Sequence, residues 1–257
     1  MKKRMKQALS VLLAICLTVV MLPLGSVIAY AEGTRTKTSG APAQSENVYQ
    51  LSSADDLLWF VGLVNGTLTD GTPQNAAASA TLTEDITIPA GTVWTPIGAE
   101  SDHPYSGTFD GQEHTISGLS INATSTEAQG LFGYVSGTVR LVVVNGNVTG
   151  TGVIGGIVGN LLSGGLIERC VNKATVSGDT AGGIVGKIES DATAKSSINA
   201  GTITGITKTG GVCGENNGML KDTVDVGIVS GGTAGFLCGQ NNGSVNNGAA
   251  PSDGSLK

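Results

Sequence analysis

The sequence predicts an all-β fold in which the chain coils into a stack of short parallel strands, a β-solenoid. Three observations carry that prediction. First, a short apolar phrase between glycines returns again and again: GLFG closing at Gly133, GGIVG at Gly159 and Gly186, GGVCG at Gly214 and AGFLCG at Gly239, at steps of 26, 27, 28 and 25 residues. A period of this length marks a repeat architecture. Second, the interiors of the repeats align into columns: Val139, Ile167, Ala194 and Leu220; Val142, Cys170, Ser197 and Thr223; Val148, Val176, Ile203 and Val229; Leu131, Ile157, Ile184, Val212 and Leu237. Third, Val, Ile and Thr fill short intervals between turns built from the chain's 40 glycines and its asparagines. No strand is long enough for a sandwich sheet. Coiling the repeats gives three parallel sheets with the columns as internal ladders, rungs about 4.8 Å apart.

The segments follow in order. Residues 1–31 read as a signal peptide. Lys2, Lys3, Arg4 and Lys6 are the basic region, Ala8 to Ile28 the apolar run broken by Pro23 and Gly25, and Ala29-Tyr30-Ala31 the small-x-small step that places cleavage between Ala31 and Glu32. A membrane anchor and a lipidated Cys16 are the rival readings; the Pro-Gly break and the bulky Ile15 argue against them. Residues 32–47, rich in Thr, Ser, Gly, Ala and Pro, read as a flexible linker. Residues 48–80 read as an N-terminal capping segment with a short helix at about 53–65. Ser52 or Ser53 caps it, Asp55 and Asp56 suit its N-terminus, and Leu57, Leu58, Val61 and Val64 form one apolar face. Asn65-Gly66 ends it. The helix is expected to cover the open N-terminal end of the coil and to touch the 81–97 strands.

Residues 81–243 form the coil. The glycines of each phrase are expected to allow tight corners, and its central residues to alternate in and out. Residues 244–257 read as a polar tail. The fifth copy is short, so its last rung is expected to leave strand edges and part of the ladder, Leu237 included, open to end-to-end association.

The repeats resemble the GLUG motif of bacterial extracellular proteins. The likeness rests on the Gly130–Gly133 phrase and on "YQLSSADDLLWFVGLVNG", "WTPIG", "YSGTFDGQEHTISGLSI" and "GLFGYV" upstream, and covers about Val48 to Gly243. Cys170-Val171-Asn172 keeps the family's Cys-hydrophobic-Asn step; Ser197-Ile198-Asn199 keeps the Asn, and Thr223-Val224-Asp225 neither. The resemblance implies a right-handed parallel β-helix, secreted or on the cell surface. It implies no single activity.

Charge and composition narrow the function. Without the signal, ten Lys and Arg face 20 Asp and Glu in about 226 residues, which argues against nucleic acid and anionic membranes as partners. Three cysteines, Cys170, Cys213 and Cys238, are no disulfide framework, and with only His103 and His114 structural zinc is not expected. Asp110, Glu113 and His114 lie within five residues but read as an Asp-Gly turn into a strand, since no partners converge on them. The acids Glu168, Glu189, Asp191, Glu215, Asp222 and Asp225 share no column. There is no HExxH, so the metallopeptidase activity of immunoglobulin A peptidases that carry such repeats does not transfer. Cys213 and Cys238 share a column; they read as small buried hydrophobes rather than a disulfide. Asn216, Asn217, Asn241 and Asn242 read as residues tolerating left-handed turns. Trp59, Trp94, Tyr105, Phe109 and Tyr134 precede the clear repeats, so a recognition site is expected at 94–113, where loops are longer and aromatics cluster. No catalytic, cofactor-binding or metal-ligating residue is assigned. The expected function is structural or adhesive, with an unidentified extracellular protein or glycan as partner. The alternatives are a carbohydrate-active or carbohydrate-binding β-helix, or the N-terminal part of a larger surface adhesin or peptidase.

Overall fold

The computed structural model describes residues 40–250, and the signal peptide and its cleavage step lie outside them. The chain forms a parallel β-solenoid with one helix. The first sheet stacks Val48–Leu51, Ser79–Leu82, Thr108–Asp110, Thr138–Arg140, Leu166–Glu168, Thr193–Lys195, Met219–Lys221 and Ser244–Asn246. The second is carried by Thr115–Ala123, Val143–Gly150, Thr175–Gly182, Thr202–Gly210 and Ile228–Gly235, with the short strands Val171–Asn172, Ile198–Asn199 and Val224–Asp225 continuing it on later rungs. The third stacks Phe132–Val135, Val158–Leu161, Val185–Ile188, Cys213–Asn216 and Cys238–Asn241.

The ladders follow the columns. Val139, Ile167, Ala194 and Leu220 are in register, extended by Phe109 and Ala80 before them and Val245 after. Ile121, Val148, Val176, Ile203 and Val229 form another, and all five are buried. A third runs Phe132, Val158, Val185, Cys213, Cys238.

The corners are of two kinds. Between the first and second sheets the turn is made by a single non-glycine residue in the left-handed region on each of the last five rungs: Leu141 (φ 54°), Arg169 (55°), Ser196 (51°), Asp222 (52°) and Asn247 (54°). Each of the first four donates its backbone N–H to the rung above, at 3.1, 3.2, 2.9 and 2.8 Å, to the carbonyls of Glu168, Lys195, Lys221 and Asn246. The hydrogen bond holds a conformation that costs an L-residue roughly 1–2 kcal/mol. The repeated glycines make the other corner, as expected: Gly130, Gly156, Gly183 and Gly211 stand at the bend between the second and third sheets, where the rungs approach closely. A Cβ on Gly183 would lie 2.1 Å from the Gly211 carbonyl oxygen and 2.5 Å from Asn199 Oδ1. One on Gly159 would lie 2.6 Å from the Gln129 nitrogen. The middle of each phrase does not alternate. Ile157 precedes its strand, at the bend, and Val158 begins it, and both are fully buried.

The helix spans Ala54–Asn65, with Ser53 Oγ accepting from the Asp56 N–H at 3.2 Å and Gly66 ending it at φ 69°. It is not one-faced: every residue from Asp56 to Val64 is buried. Phe60 packs against the rings of Tyr105 and Phe109 at 6.1 and 6.2 Å, inside the first full rungs. The 67–78 segment covers the opposite side. Asn75 N–H reaches the Leu63 carbonyl at 3.0 Å, and Gly62 leaves room for Leu68. The ends of the coil also extend past the expected boundaries. Gln44–Ser45 pairs antiparallel with Val48–Leu51, inside the stretch read as linker. Ser244–Asn246 pairs parallel with Met219–Lys221, and Ala249 bridges to Val224, so residues 244–250 continue the stack.

The interior becomes polar toward the C-terminal rungs. One column runs Ile86, Ile116, Val144, Asn172, Asn199, Asp225. Asn172 Nδ2 donates to Asn199 Oδ1 and Asn199 Nδ2 to Asp225 Oδ1, both at 2.8 Å. Each side chain also accepts from the backbone two residues on, at Ala174, Gly201 and Gly227. Asp225 ends this ladder fully buried, and its Oδ2 has no partner among the described residues. Burial pushes its carboxyl above the ordinary value, against the hydrogen bonds from Asn199 and Gly227.

Three outcomes follow. Ile203→Asp buries an unpaired carboxylate and should cost more than about 4 kcal/mol, read as loss of the cooperative thermal transition in circular dichroism. Gly183→Ala should cost about 1–3 kcal/mol by overpacking, while Ser196→Asn, at an exposed left-handed corner, should be neutral or gain a few tenths of a kcal/mol; denaturant midpoints separate the two. Because the folded pKa of Asp225 is raised, its contribution is full below the unfolded carboxylate value near 4 and declines as pH rises through the folded pKa. Asp225→Asn should therefore stabilise by about 1–3 kcal/mol at pH 7, and the gain should shrink toward pH 4 in urea unfolding.

Candidate functional site

A site on this coil has to be built from residues that the ladders turn outward, and the three faces differ. On the first sheet Asp110, Arg140, Glu168, Lys195 and Lys221 form one outward column. Arg140 binds Asp110 Oδ2 through Nε at 2.9 Å and Nη2 at 2.8 Å, and Lys195 pairs with Glu168 at 2.8 Å. On the second sheet the later strand halves carry Asn122, Thr149, Ser177, Thr204 and Ser230, with no charge. The third sheet presents Tyr134, Asn160, Lys187, Glu215 and Gln240.

The acid–base candidates are drawn apart. Asp110 is held by Arg140, Glu113 lies 3.6 Å from Arg169, and His114 Nδ1 lies 3.2 Å from Asp85 Oδ1. The Thr115 N–H and then His114 hold the Asp85 carboxyl below its usual range. The segment is a turn: His114 N–H donates to the Gly111 carbonyl at 2.8 Å, and Gln112 and Glu113 both take positive φ. The repeat acids are dispersed. Glu168 is on the first face, Glu215 is on the third, and Asp225 is inside. Glu189 pairs with Lys187 at 2.8 Å, and Glu215 with Lys208. Burial pushes the Glu215 carboxyl up, but Lys208, Asn217 and the charge of Lys187 outweigh it and hold it low.

Two expectations are corrected. The aromatics at 94–113 are not presented to a ligand. Trp94, Tyr105 and Phe109 are buried, with Trp94 Nε1 donating to the Leu131 carbonyl at 3.2 Å and the Phe109 and Phe132 rings 5.2 Å apart. They are the core of the first rungs, and Tyr134 is the partly exposed one, its hydroxyl 2.6 Å from Glu127 Oε2. The asparagines at 216, 217, 241 and 242 do not take left-handed turns. They link rungs instead: Asn216 Nδ2 donates to Asn241 Oδ1 at 2.7 Å and Asn242 Nδ2 to Asn217 Oδ1 at 2.9 Å. Cys170, Cys213 and Cys238 are free thiols. Burial pushes Cys170 and Cys238 up to about 12, and Cys213 well above its ordinary value.

The 95–103 loop does contribute a cleft, of about 120 Å³, lined by Asn65, Thr67, Gln74, Thr95, Ala99, Glu100 and His103. Asn65 fixes it, accepting from the Gly98 N–H at 2.9 Å and donating to the Pro96 carbonyl at 2.9 Å. Glu100, Asp102 and His103 beside it have ligand atoms within 4.8 Å of one another and are the described residues that could hold a metal ion, though all three are exposed. Sequence reasoning passed over them because they lie outside the repeats. It also passed over the outward aliphatics Val143, Val171, Ile198 and Val224, whose signal was an apolar residue flanked by two inward positions on each rung. No helix among the described residues is long and apolar enough to cross a membrane.

No protein-family model matches the chain. It is 29% identical over 140 residues to halomucin of Haloquadratum walsbyi; the match covers 52% of this chain and 2% of halomucin. The chain thus spans a small fraction of that relative. A crystal structure from Bacteroides ovatus, of a protein named as a candidate immunoglobulin A1 protease, superposes with a TM-score of 0.69 at 21% identity, over 82% of this chain and 77% of that one. At that identity the likeness shows the fold, and the coil is a β-solenoid shared with that protein.

Proposed function

We propose that the chain is a secreted or cell-surface β-solenoid with a structural or adhesive role and no catalytic activity of its own, related to GLUG-motif proteins. The observation that carries this reading is the separation of the reactive groups. Asp110, Glu113 and His114 each pair with a different residue, Arg140, Arg169 and Asp85, where acid–base chemistry needs groups converging on one bond. What the stack offers instead is three flat faces of repeated side chains. The local likeness to halomucin supports a surface location.

A second reading, a carbohydrate-binding β-helix, is favoured by the third face. There Tyr134, Asn160, Lys187, Glu215 and Gln240 stand in register beside Glu189, Asn217 and Asn242. Amide and carboxylate groups at rung spacing suit the hydroxyls of an extended glycan.

The test is a screen of the protein against immobilised glycans and extracellular proteins, with release of sugar or peptide products followed in parallel. Retention without product is expected, unchanged by Asp110→Asn or His114→Ala. Product release that either substitution abolishes would overturn the reading. Retention on glycans lost at least tenfold in Tyr134→Ala would select the second one.

A further inference from the structure

The outer face of the second sheet carries an aliphatic ladder that the coil itself does not need. On each rung one residue points out between two buried ones: Val143 between Val142 and Val144, Val171 between Cys170 and Asn172, Ile198 between Ser197 and Asn199, Val224 between Thr223 and Asp225. The four are in register, and Ala249 continues them past Val224. Ile198 is 38% exposed, and Val226 and Ile228, next along the chain after Val224, are 60% and 49% exposed. Beside the ladder runs an open groove of about 460 Å³ lined by Glu113, Leu141, Val143, Arg169, Val171, Ser196 and Ile198. Val93, Ile206 and Met219 are also exposed, but it is the contiguity of the aliphatics over successive rungs that marks an interaction surface.

The left-handed corner residues beside the strip identify the occupant. Arg169 sits one rung before Ser196 and Asp222 one rung after it, opposite charges placed symmetrically about the Ser196–Ile198 rung. The Arg169 guanidinium is 61% exposed and reaches Glu113 only at 3.6 Å. We propose that a second copy of this chain docks here face to face, about a two-fold axis lying along the Ser196–Ile198 rung. Such an axis reverses the order of rungs and keeps the position along the strand. Ile198 then meets Ile198 of the partner subunit, Val171 meets Val224 of the partner subunit, and Arg169 meets Asp222 of the partner subunit. Every contact off the axis is made twice, and the assembly closes at two copies. The apolar ladder supplies the burial, and the charge pair sets the register, because a slip of one rung separates Arg169 from its acid.

Sedimentation equilibrium of the full chain tests this. A closed dimer is expected. Ile198→Asp should leave a monomer at concentrations where the parent is dimeric. Arg169→Asp, at an exposed position whose loss the fold tolerates, should weaken the dimer at least tenfold, and Arg169→Asp combined with Asp222→Arg should restore it. A parent that stays monomeric, or associates without limit, overturns the proposal. So does a dimer indifferent to Ile198→Asp, or a double variant no tighter than Arg169→Asp alone.

Discussion

Rung-to-rung register is the constraint on which everything else in this coil depends. Parallel strands bonded in register place each residue directly over its counterpart about 4.8 Å away. A residue type that suits one rung must therefore suit its neighbours. The buried run Ile121, Val148, Val176, Ile203, Val229 is the direct result. So is the Gly183 backbone, pressed so closely against the Gly211 carbonyl of the next rung that no Cβ fits. The 25- to 28-residue period is the length of chain needed to return to the same place on the next rung.

The same constraint decides how polar the interior can become. A lone buried amide is costly, but a stacked amide finds its partner in the rung above. Asn172, Asn199 and Asp225 satisfy one another in this way, and Asn216 and Asn241 do so at another corner. The aromatic rings of the first rungs give way to Val, Cys, Ser, Thr and Asn in later ones. Large side chains fill the end where the helix inserts Phe60, and small ones suffice where identical neighbours close the space. Polar interiors of this kind are self-consistent only while the ladder continues. Near its end Thr223 Oγ1 and Asp225 Oδ2 are left without a partner among the described residues.

The fold was legible in the sequence because inward positions repeat. Ile203 was placed correctly from its alignment with Val176 and Val229 alone, and the helix at 54–65 from Ser53 and Gly66. The glycine corners between the second and third sheets were legible from the repeated phrase, but those between the first and second sheets were not. Leu141, Arg169 and Ser196 carry no signal of left-handed backbone as residue types; an inter-rung hydrogen bond, a tertiary interaction, puts them there. Val158 was misassigned for a similar reason: a corner resets the two-residue alternation, and periodicity does not see corners. The aromatics at 94–113 were read as a binding platform because no repeat marks them as core, yet burial by the helix and the 67–78 segment makes them so.

The outward columns were less legible than the core, because the coil leaves their residue types free. A ladder turns outward choices into a stripe: aliphatic at Val143, Val171, Ile198 and Val224, alternately charged at Asp110, Arg140, Glu168 and Lys195, mixed amide and charged at Asn160, Lys187, Glu215 and Gln240. Such stripes are rigid and repetitive, which suits association with another extended surface. Catalysis asks for the reverse, a few unlike groups converging at one point, and the unlike charges of the first face are taken up in pairs, Arg140 with Asp110 and Lys195 with Glu168. Long loops are the other means of bringing groups together. The described loops that approach this are 88–107, with Glu100, Asp102 and His103, and they stand over the one region where helix and coil meet rather than over the repeats. Repetition and mixed chemistry are thus kept apart in this chain, the first in the stack and the second in that loop.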